Sequence, residues 1–257
     1  MKRLLLLVLL PMFAMAQQPM LASQSIPVTQ PADSLIAQTI QWTHDAQHGA
    51  HPDLYIDAFD AATQATDLEP ERAIAHYWAG YAGYRIGSMN MGSDKDLADE
   101  WLSKSRAHLE RSIELEKSAD AYALLSTVYS LQIGIKWTRG MSLGGKASGM
   151  LETAKALGPD NPRVALIDGI RLYNTPRMWG GNKDKAMEQF RVALMLFEEE
   201  DVTDPFQPAW GHPDAYAWLG IAYAQQDEKE QARIAYGQAL EVSPGYAWVE
   251  RILLPSL

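Results

Sequence analysis

The sequence of 257 residues contains no cysteine. This absence excludes disulfide bonds, thiolate metal ligands, a thiol nucleophile and a lipid anchor on an N-terminal cysteine. Alternating runs of β-branched residues are also missing, whereas Ala, Leu, Glu, Lys and Gln are abundant, which predicts an all-helical chain. Such a chain must be held together by helix packing alone, and its apolar content of 47% allows that.

Long hydrophobic runs are absent except at the N-terminus. The chain begins Met-Lys-Arg, continues with an apolar run over residues 4–13 and then reads Ala-Met-Ala. A basic start, a short apolar core and small residues at the exit are typical of a secretory signal peptide, and the run is too short to span a bilayer comfortably. We therefore predict a signal peptide over residues 1–16, a flexible leader over 17–31, a helical domain over 32–257 and a periplasmic or secreted location.

Positively charged residues are fewer than negatively charged ones. The sequence contains 32 Asp and Glu and 22 Lys and Arg, so its net charge is −10 at pH 7. An acidic balance disfavours nucleic acid and anionic membranes as partners. With no further apolar run of sufficient length, we also expect no membrane insertion once the signal peptide is removed. The expected partner is another protein, a peptide segment or a second copy of the chain.

The clearest motif lies between Asp214 and Pro244, which reads as two short helices ended by proline. Apolar and small residues recur three and four positions apart on one face of each helix: Tyr216, Leu219, Gly220 and Tyr223, then Ala232, Tyr236 and Ala239. This pattern resembles the tetratricopeptide repeat (TPR) family, whose members stack antiparallel helix pairs into a solenoid. The resemblance implies a binding protein, and it names neither the partner nor the pathway.

Weaker copies of the same pattern precede this motif. We predict an all-α, TPR-like α-solenoid of about five antiparallel helix pairs, followed by a C-terminal capping helix from Tyr246 to Leu254. Three of the pairs carry inserts between their helices, around Gly92, Gly144 and Gly180. Loops at the same place in successive repeats project from one edge of a solenoid, so we predict a shared loop surface. Its candidate residues are Trp137, Lys146, Arg177, Trp179 and Lys183.

The first helix of each TPR pair lines the concave side of the solenoid. The register of the helices places ten candidate partner-binding residues there: Trp78, Arg85, Ile86, Ser130, Leu131, Ile170, Tyr173, Asn174, Ile221 and Gln225. The resulting groove is mostly apolar and suits a helical or extended peptide segment. Two alternatives stay open. In the first, the protein is a periplasmic accessory protein that binds a small solute in a pocket containing Trp78 and Tyr173. In the second, Trp78, Leu166 and Ile170 pack against loops or the terminal helix of the same chain.

Two segments resemble catalytic or metal sites in part. Residues 140–147 (GMSLGGKA) follow a phosphate-binding loop except at the last position, where Ala147 replaces the hydroxyl that would hold Mg²⁺. His44, His48 and His51 have a spacing that can bind Zn²⁺ or Cu²⁺, or they are incidental polar residues at a helix end. No Ser nucleophile elbow is present. We therefore predict a protein that is not an enzyme and has no cofactor, and metal binding by the histidines remains open.

Overall fold

The computed structural model describes residues 31–49 and 51–257. The predicted signal peptide and nearly all of the predicted leader lie outside this range, so both stay predictions. Within these residues the chain forms helices and turns and contains no strand. No helix there is long and apolar enough to cross a membrane.

In the described part of the chain, ten α-helices follow one another with short connections. Their bounds are α1 Pro31–Gly49, α2 Leu54–Leu68, α3 Ala73–Asn90, α4 Lys95–Leu115, α5 Ala119–Ile135, α6 Gly140–Leu157, α7 Pro162–Asn174, α8 Lys183–Glu199, α9 His212–Gln225 and α10 Lys229–Val242. The predicted C-terminal helix is a π-helical turn, Val249–Leu253, followed by a 3-10 turn, Leu254–Ser256. The all-α fold predicted from the sequence is confirmed.

The helices pack as five consecutive pairs, from α1 with α2 to α9 with α10. Small residues stand where the two helices of a pair cross, because a larger side chain would collide with the partner helix. A Cβ atom at Gly220 would lie 2.3 Å from the Tyr236 ring, and one at Gly169 would lie 2.6 Å from the Phe190 ring. This close packing explains the spacing of small and aromatic residues that predicted the repeats.

The odd-numbered helices form the inner layer of the solenoid. Helix α3 contacts both α1 and α5, and α5 contacts α7, whereas α2, α4, α6 and α8 each pack on the odd-numbered helices before and after them. Helix α10 packs on α9 and on the C-terminal turn. The two ends of the solenoid also meet, since His48 Nε2 at the end of α1 lies 2.6 Å from Ser243 Oγ after α10. The chain is therefore a curved solenoid whose two ends are in contact.

Two of the three predicted inserts are shorter than the sequence indicates, whereas the insert around Gly180 is present as residues 175–182 between α7 and α8. Around Gly92, only residues 91–94 separate α3 from α4, and residues 140–146 form the first two turns of α6. The prediction of a loop around Gly144 is wrong, because Leu143 and Ala147 are buried against the core and hold this glycine-rich segment in a helix. Lys146 accordingly lies on a helix and not on a loop.

Candidate binding surfaces

The segment between α8 and α9 crosses the inner face of α3. We call residues 200–211 the strap. The indole Nε1 of Trp78 donates a hydrogen bond to the Phe206 carbonyl (2.8 Å), and Trp210 Nε1 donates to the Tyr77 hydroxyl (2.7 Å). The Trp210 ring also stacks on Tyr81 with centroids 5.1 Å apart. The strap thus occupies the N-terminal half of the groove that a partner was predicted to fill.

Two predicted concave residues lose their candidate role in this half. Trp78 is 3% exposed and Ile86 is 6% exposed, so both are core residues. For Trp78, the structure favours the alternative that it packs against a loop of the same chain. The pocket that the small-solute alternative requires, with Trp78 and Tyr173 side by side, is not formed, because Trp78 lies under the strap and Tyr173 contacts Trp218 and Gln225.

A buried ion-pair network fixes the first residue of the strap. Arg163, at the start of α7, is 2% exposed. Its guanidinium binds the Glu200 carboxylate and donates to Asp120 Oδ1 (2.5 Å), and Asn161 Nδ2 donates to the second Asp120 oxygen (2.9 Å). Burial acts to lower the pKa of Arg163, but the two carboxylates outweigh it and raise the pKa above its usual value. The arginine is therefore charged and ties α5, α7 and the strap together.

Arg85 lies in a polar cluster and not in an open groove. Its Nη1 donates to the Tyr81 hydroxyl (3.1 Å), and the guanidinium lies over the ring of Tyr55, 5.1 Å from its centroid. The Tyr246 hydroxyl donates to Asp214 Oδ1 (2.8 Å). Burial acts to lower the pKa of Arg85, but the surrounding groups, Tyr55 and Tyr81 first and then the Asp214 carboxylate and Tyr246, outweigh it and raise the pKa above its usual value. Arg85 thus contributes to contacts between the inner face and the C-terminal part of the chain.

The C-terminal half of the inner face remains accessible, and it brings three predicted residues together. Tyr173 on α7 donates from its hydroxyl to Gln225 Oε1 on α9 (2.5 Å). Lys183 at the start of α8 donates from Nζ to the same oxygen (2.5 Å) and lies 5.3 Å from the centroid of the Tyr173 ring. The Trp218 ring packs edge-on against Tyr173, with centroids 5.7 Å apart.

We call the surface formed by Ile170, Tyr173, Asn174, Lys183, Trp218, Ile221 and Gln225 the open groove. All seven side chains are partly or fully exposed. Trp218 was missed by the sequence reasoning, although it lies three and seven positions before Ile221 and Gln225 and so shares their helix face. The two candidates on α5, Ser130 and Leu131, are not among these seven residues. The Ser130 side chain is exposed and donates to the Ser126 carbonyl, and Leu131 packs partly into the core.

A second surface lies at one edge of the solenoid. Helices α3, α5 and α7 run side by side, so the turns that follow them meet at the same edge. Trp137, Met178 and Trp179 stand on two of these turns and are 82%, 80% and 71% exposed, and Met141 in the first turn of α6 is 98% exposed. We call these four residues and the turns that carry them the turn edge.

The turn before α8 is rigid despite its exposure. Gly180 has a φ of 92°, which favours glycine, and a Cβ on Gly181 would lie 1.7 Å from the Thr175 carbonyl oxygen. The Asn182 amide donates to the Leu172 carbonyl (2.9 Å), and the Asn182 side chain caps α8. The two glycines let the turn close tightly, and the turn therefore holds Met178 and Trp179 outward in a fixed position.

Charge is distributed unevenly between the two edges of the solenoid. Exposed cations follow the turn edge, and they include the three predicted cations Lys146, Arg177 and Lys183 together with Lys95, Lys136 and Lys185. The opposite edge holds a cleft of about 940 Å³ beside the strap, lined by Arg72, Arg163 and seven carboxylates. Both arginines are already ion-paired with carboxylates. Exposed carboxylates of Asp94, Asp96 and Asp184 lie beside these cations, so the turn edge carries charges of both signs, whereas the cleft at the opposite edge is lined mainly by carboxylates.

The two motifs that resemble reactive sites take up ordinary helical structure. His48 uses both ring nitrogens, one 2.7 Å from the His44 carbonyl and the other 2.6 Å from Ser243 Oγ. Among the residues that the structure describes, no three His, Asp or Glu side chains are grouped to hold a metal ion. Residues 140–147 are helical, so they do not form the loop that a phosphate-binding motif requires.

Comparison with known proteins identifies the repeat. Residues 213–246 match the family model for the tetratricopeptide repeat. The fold is similar to that of a thermophilic TPR protein from Thermus thermophilus (TM-score 0.63, 18% identity, covering 88% of this chain and 97% of the other). The chain has the TPR-like α-solenoid fold, and residues 213–246 match one tetratricopeptide repeat.

A further solved structure has a similar fold. The HusA haemophore from Porphyromonas gingivalis aligns with a TM-score of 0.62 and 21% identity, over 77% of this chain and 94% of the haemophore. No match was found among proteins with curated descriptions. At these identities the structural likeness establishes the TPR fold, and the open groove and the turn edge belong to this chain's own geometry.

Proposed function

We propose that this TPR solenoid is an exported scaffold that binds a segment of another protein in the open groove. The observation that supports this most directly is the contact of Tyr173, Lys183 and Gln225, contributed by three different helices on the accessible part of the inner face. Export is supported by the N-terminal sequence pattern.

The chemistry of the open groove suits a segment with apolar and acidic side chains. Ile170, Ile221 and the Trp218 ring offer apolar contact area, and Lys183 offers a cation beside them. Because the groove residues are anchored on packed helices, little conformational freedom is lost when a segment binds. The strap limits this role to the C-terminal half, since it already fills the N-terminal half.

Site-specific photo-crosslinking in the native compartment tests this proposal. A photo-reactive amino acid at Ile221 in the open groove is compared with the same amino acid at Ile234, which is 63% exposed on α10. We expect a discrete crosslinked partner from position 221 that is absent from position 234 and is lost when Tyr173→Ala and Lys183→Ala are added. The same bands from both positions, or no band from position 221, would contradict the proposal.

A second candidate function is the carriage of a flat amphiphilic ligand such as haem. It is favoured by the fold shared with a haemophore and by the Trp218 and Tyr173 rings lying beside the Lys183 cation, which suits an aromatic ligand that carries carboxylates. Titration with haemin, followed by absorbance, tests it. Saturable binding that Trp218→Ala weakens would support a carrier, and a titration no different from that of buffer alone would exclude haem as the ligand.

A further inference from the structure

We propose that the turn edge docks onto an anionic lipid surface, with its exposed Trp and Met side chains entering the headgroup region. This inference concerns exposed Trp and Met side chains that are not part of the open groove, and it does not depend on the proposed peptide binding. The net charge of −10 by itself disfavours an anionic surface as a partner. It does not report where on the protein the charged side chains lie.

The shape of the turn edge favours a lipid layer over a rigid protein partner. Trp137 and Trp179 stand on separate turns, and in the described part of the chain neither ring packs against another aromatic ring. Together with Met141 and Met178 they form single projections and not one packed patch. A rigid protein partner would need a separate pocket for each projection, whereas a lipid headgroup layer deforms around them. Trp is also the residue type that favours the boundary between water and lipid.

Exposed cations near these projections favour a lipid surface that is anionic. Lys136 precedes Trp137, Arg177 precedes Met178, and Lys146 lies five positions after Met141 in α6. All three side chains are exposed, and no carboxylate of the described residues lies within ion-pair distance of any of them. Lys and Arg beside interfacial aromatic residues bind lipid phosphates, and the attraction requires anionic lipid. The acidic cleft lies at the far edge, so the protein would orient with its turn edge toward a negative surface.

The backbone after Met141 is rich in glycine. Gly144, Gly145 and Gly149 lie in α6, and a Cβ at any of them would meet nothing within 4 Å. Packing inside the chain therefore does not require glycine at these positions, although glycine weakens a helix. Their absence of side chains leaves a low surface next to the projections, which allows α6 to approach a flat layer closely.

Co-sedimentation with vesicles tests the proposal. The mature protein is mixed at low salt with vesicles of equal parts phosphatidylglycerol and phosphatidylcholine, and separately with vesicles of phosphatidylcholine alone. We expect binding to the first and at least about tenfold weaker binding to the second, because the cations add to the apolar contacts only on an anionic surface. High salt is expected to weaken the binding to the anionic vesicles.

Matched variants assign the binding to the turn edge. Trp137→Ala with Trp179→Ala, and separately Lys136→Gln with Lys146→Gln, are each expected to weaken binding to anionic vesicles about tenfold while the circular dichroism spectrum is retained. Ile234→Ala with Ile252→Ala removes exposed apolar residues elsewhere and is expected to change nothing. No sedimentation of the unaltered protein with anionic vesicles, or equal binding by the Trp and Ile variants, would overturn the inference. Because Tyr173→Ala alters only the open groove, it separates this result from a failure of the proposed function.

Discussion

The two halves of the inner face are built from the same kind of helix pair, yet only one of them is accessible. In the N-terminal half, Trp78, Tyr77 and Tyr81 bind the strap through two indole hydrogen bonds and a ring stack. In the C-terminal half, Tyr173 and Trp218 contact each other, and both side chains remain partly exposed. The availability of a TPR groove therefore depends on the segments between the repeats as much as on the repeats.

The largest expected effect comes from removing Arg163, which holds the strap over the N-terminal half of the inner face. We call this half the closed half. Arg163→Ala leaves Asp120 and Glu200 without their cation in a buried site, and we expect a loss of about 3–5 kcal/mol in the free energy of unfolding. Urea denaturation measures it. The control is Arg233→Ala, whose exposed ion pair with Glu230 is worth about 0–1 kcal/mol. Equal losses in the two variants would show that the network does not hold the strap.

Opening the closed half directly is expected to have the next largest effect. Trp210→Ala removes the stack on Tyr81 and the hydrogen bond to Tyr77, and we expect it to cost about 2–4 kcal/mol because the ring is half-buried. Trp179→Ala removes an equally large but exposed ring and is expected to cost less than about 0.5 kcal/mol. Urea denaturation compares the two, and a Trp210 variant as stable as the Trp179 variant would mean that the strap is loosely held.

Glycine substitutions sharpen the difference between a packed repeat and the turn edge. Gly220→Ala places a methyl group against the Tyr236 ring, and we expect a loss of about 1–3 kcal/mol from overpacking. Gly145→Ala in α6 meets open space, and we expect a gain of up to about 1 kcal/mol from helix propensity. Thermal unfolding measures both. A destabilising Gly145→Ala would contradict the exposure of this part of α6.

The smallest expected effect is a pH dependence in the closed half. His76 and His108 lie with their Nδ1 atoms 3.2 Å apart, and burial lowers both pKa values, that of His108 to about 4. The nearby Arg111 also lowers the pKa of His76, whereas Asp67 opposes the shift of His108. The folded state thus resists protonation, and this contribution to stability is present above pH 6.5 and is lost as the pH falls toward 4.

Solvent screening limits this loss to the order of 1 kcal/mol. It is measured as the difference between the unaltered protein and His108→Gln in urea denaturation at about pH 7 and about pH 4.5, on either side of the usual histidine pKa. The variant is expected to lose less stability on acidification, since it has no imidazole to protonate at this position. Equal losses in the two proteins would show that the histidine pair does not couple to folding.

Local patterns predicted what local packing determines. The repeat at Asp214–Pro244 is present as predicted, because the Gly220 and Tyr236 contact follows from spacing along two adjacent helices. In the open groove, the sequence predicts Tyr173 and Gln225 on the concave face and Lys183 on the loop surface, and the structure shows that they touch. The glycines of residues 140–146 were interpreted as a loop because glycine disfavours helices, and the burial of Leu143 overrides that preference.

Long-range contacts could not be predicted in the same way. The partners of Trp210 and Phe206 in the strap lie more than a hundred positions earlier in the chain, and no local spacing reports such a contact. Arg163 was not singled out by the sequence, since a charged residue near a helix start is ordinarily exposed. The register of α3 places Trp78 in the groove, and it cannot report that the strap covers this side chain.

Hydroxyl-radical footprinting read by mass spectrometry tests the contrast between the two halves most directly, because it reports the exposure of each Trp and Met side chain in one experiment. The account predicts fast oxidation of Trp137, Met141, Met178 and Trp179, intermediate oxidation of Trp218 in the open groove, and protection of Trp78 beneath the strap. Oxidation of Trp78 as fast as that of Trp137 would contradict it, since the N-terminal half of the groove would then be open.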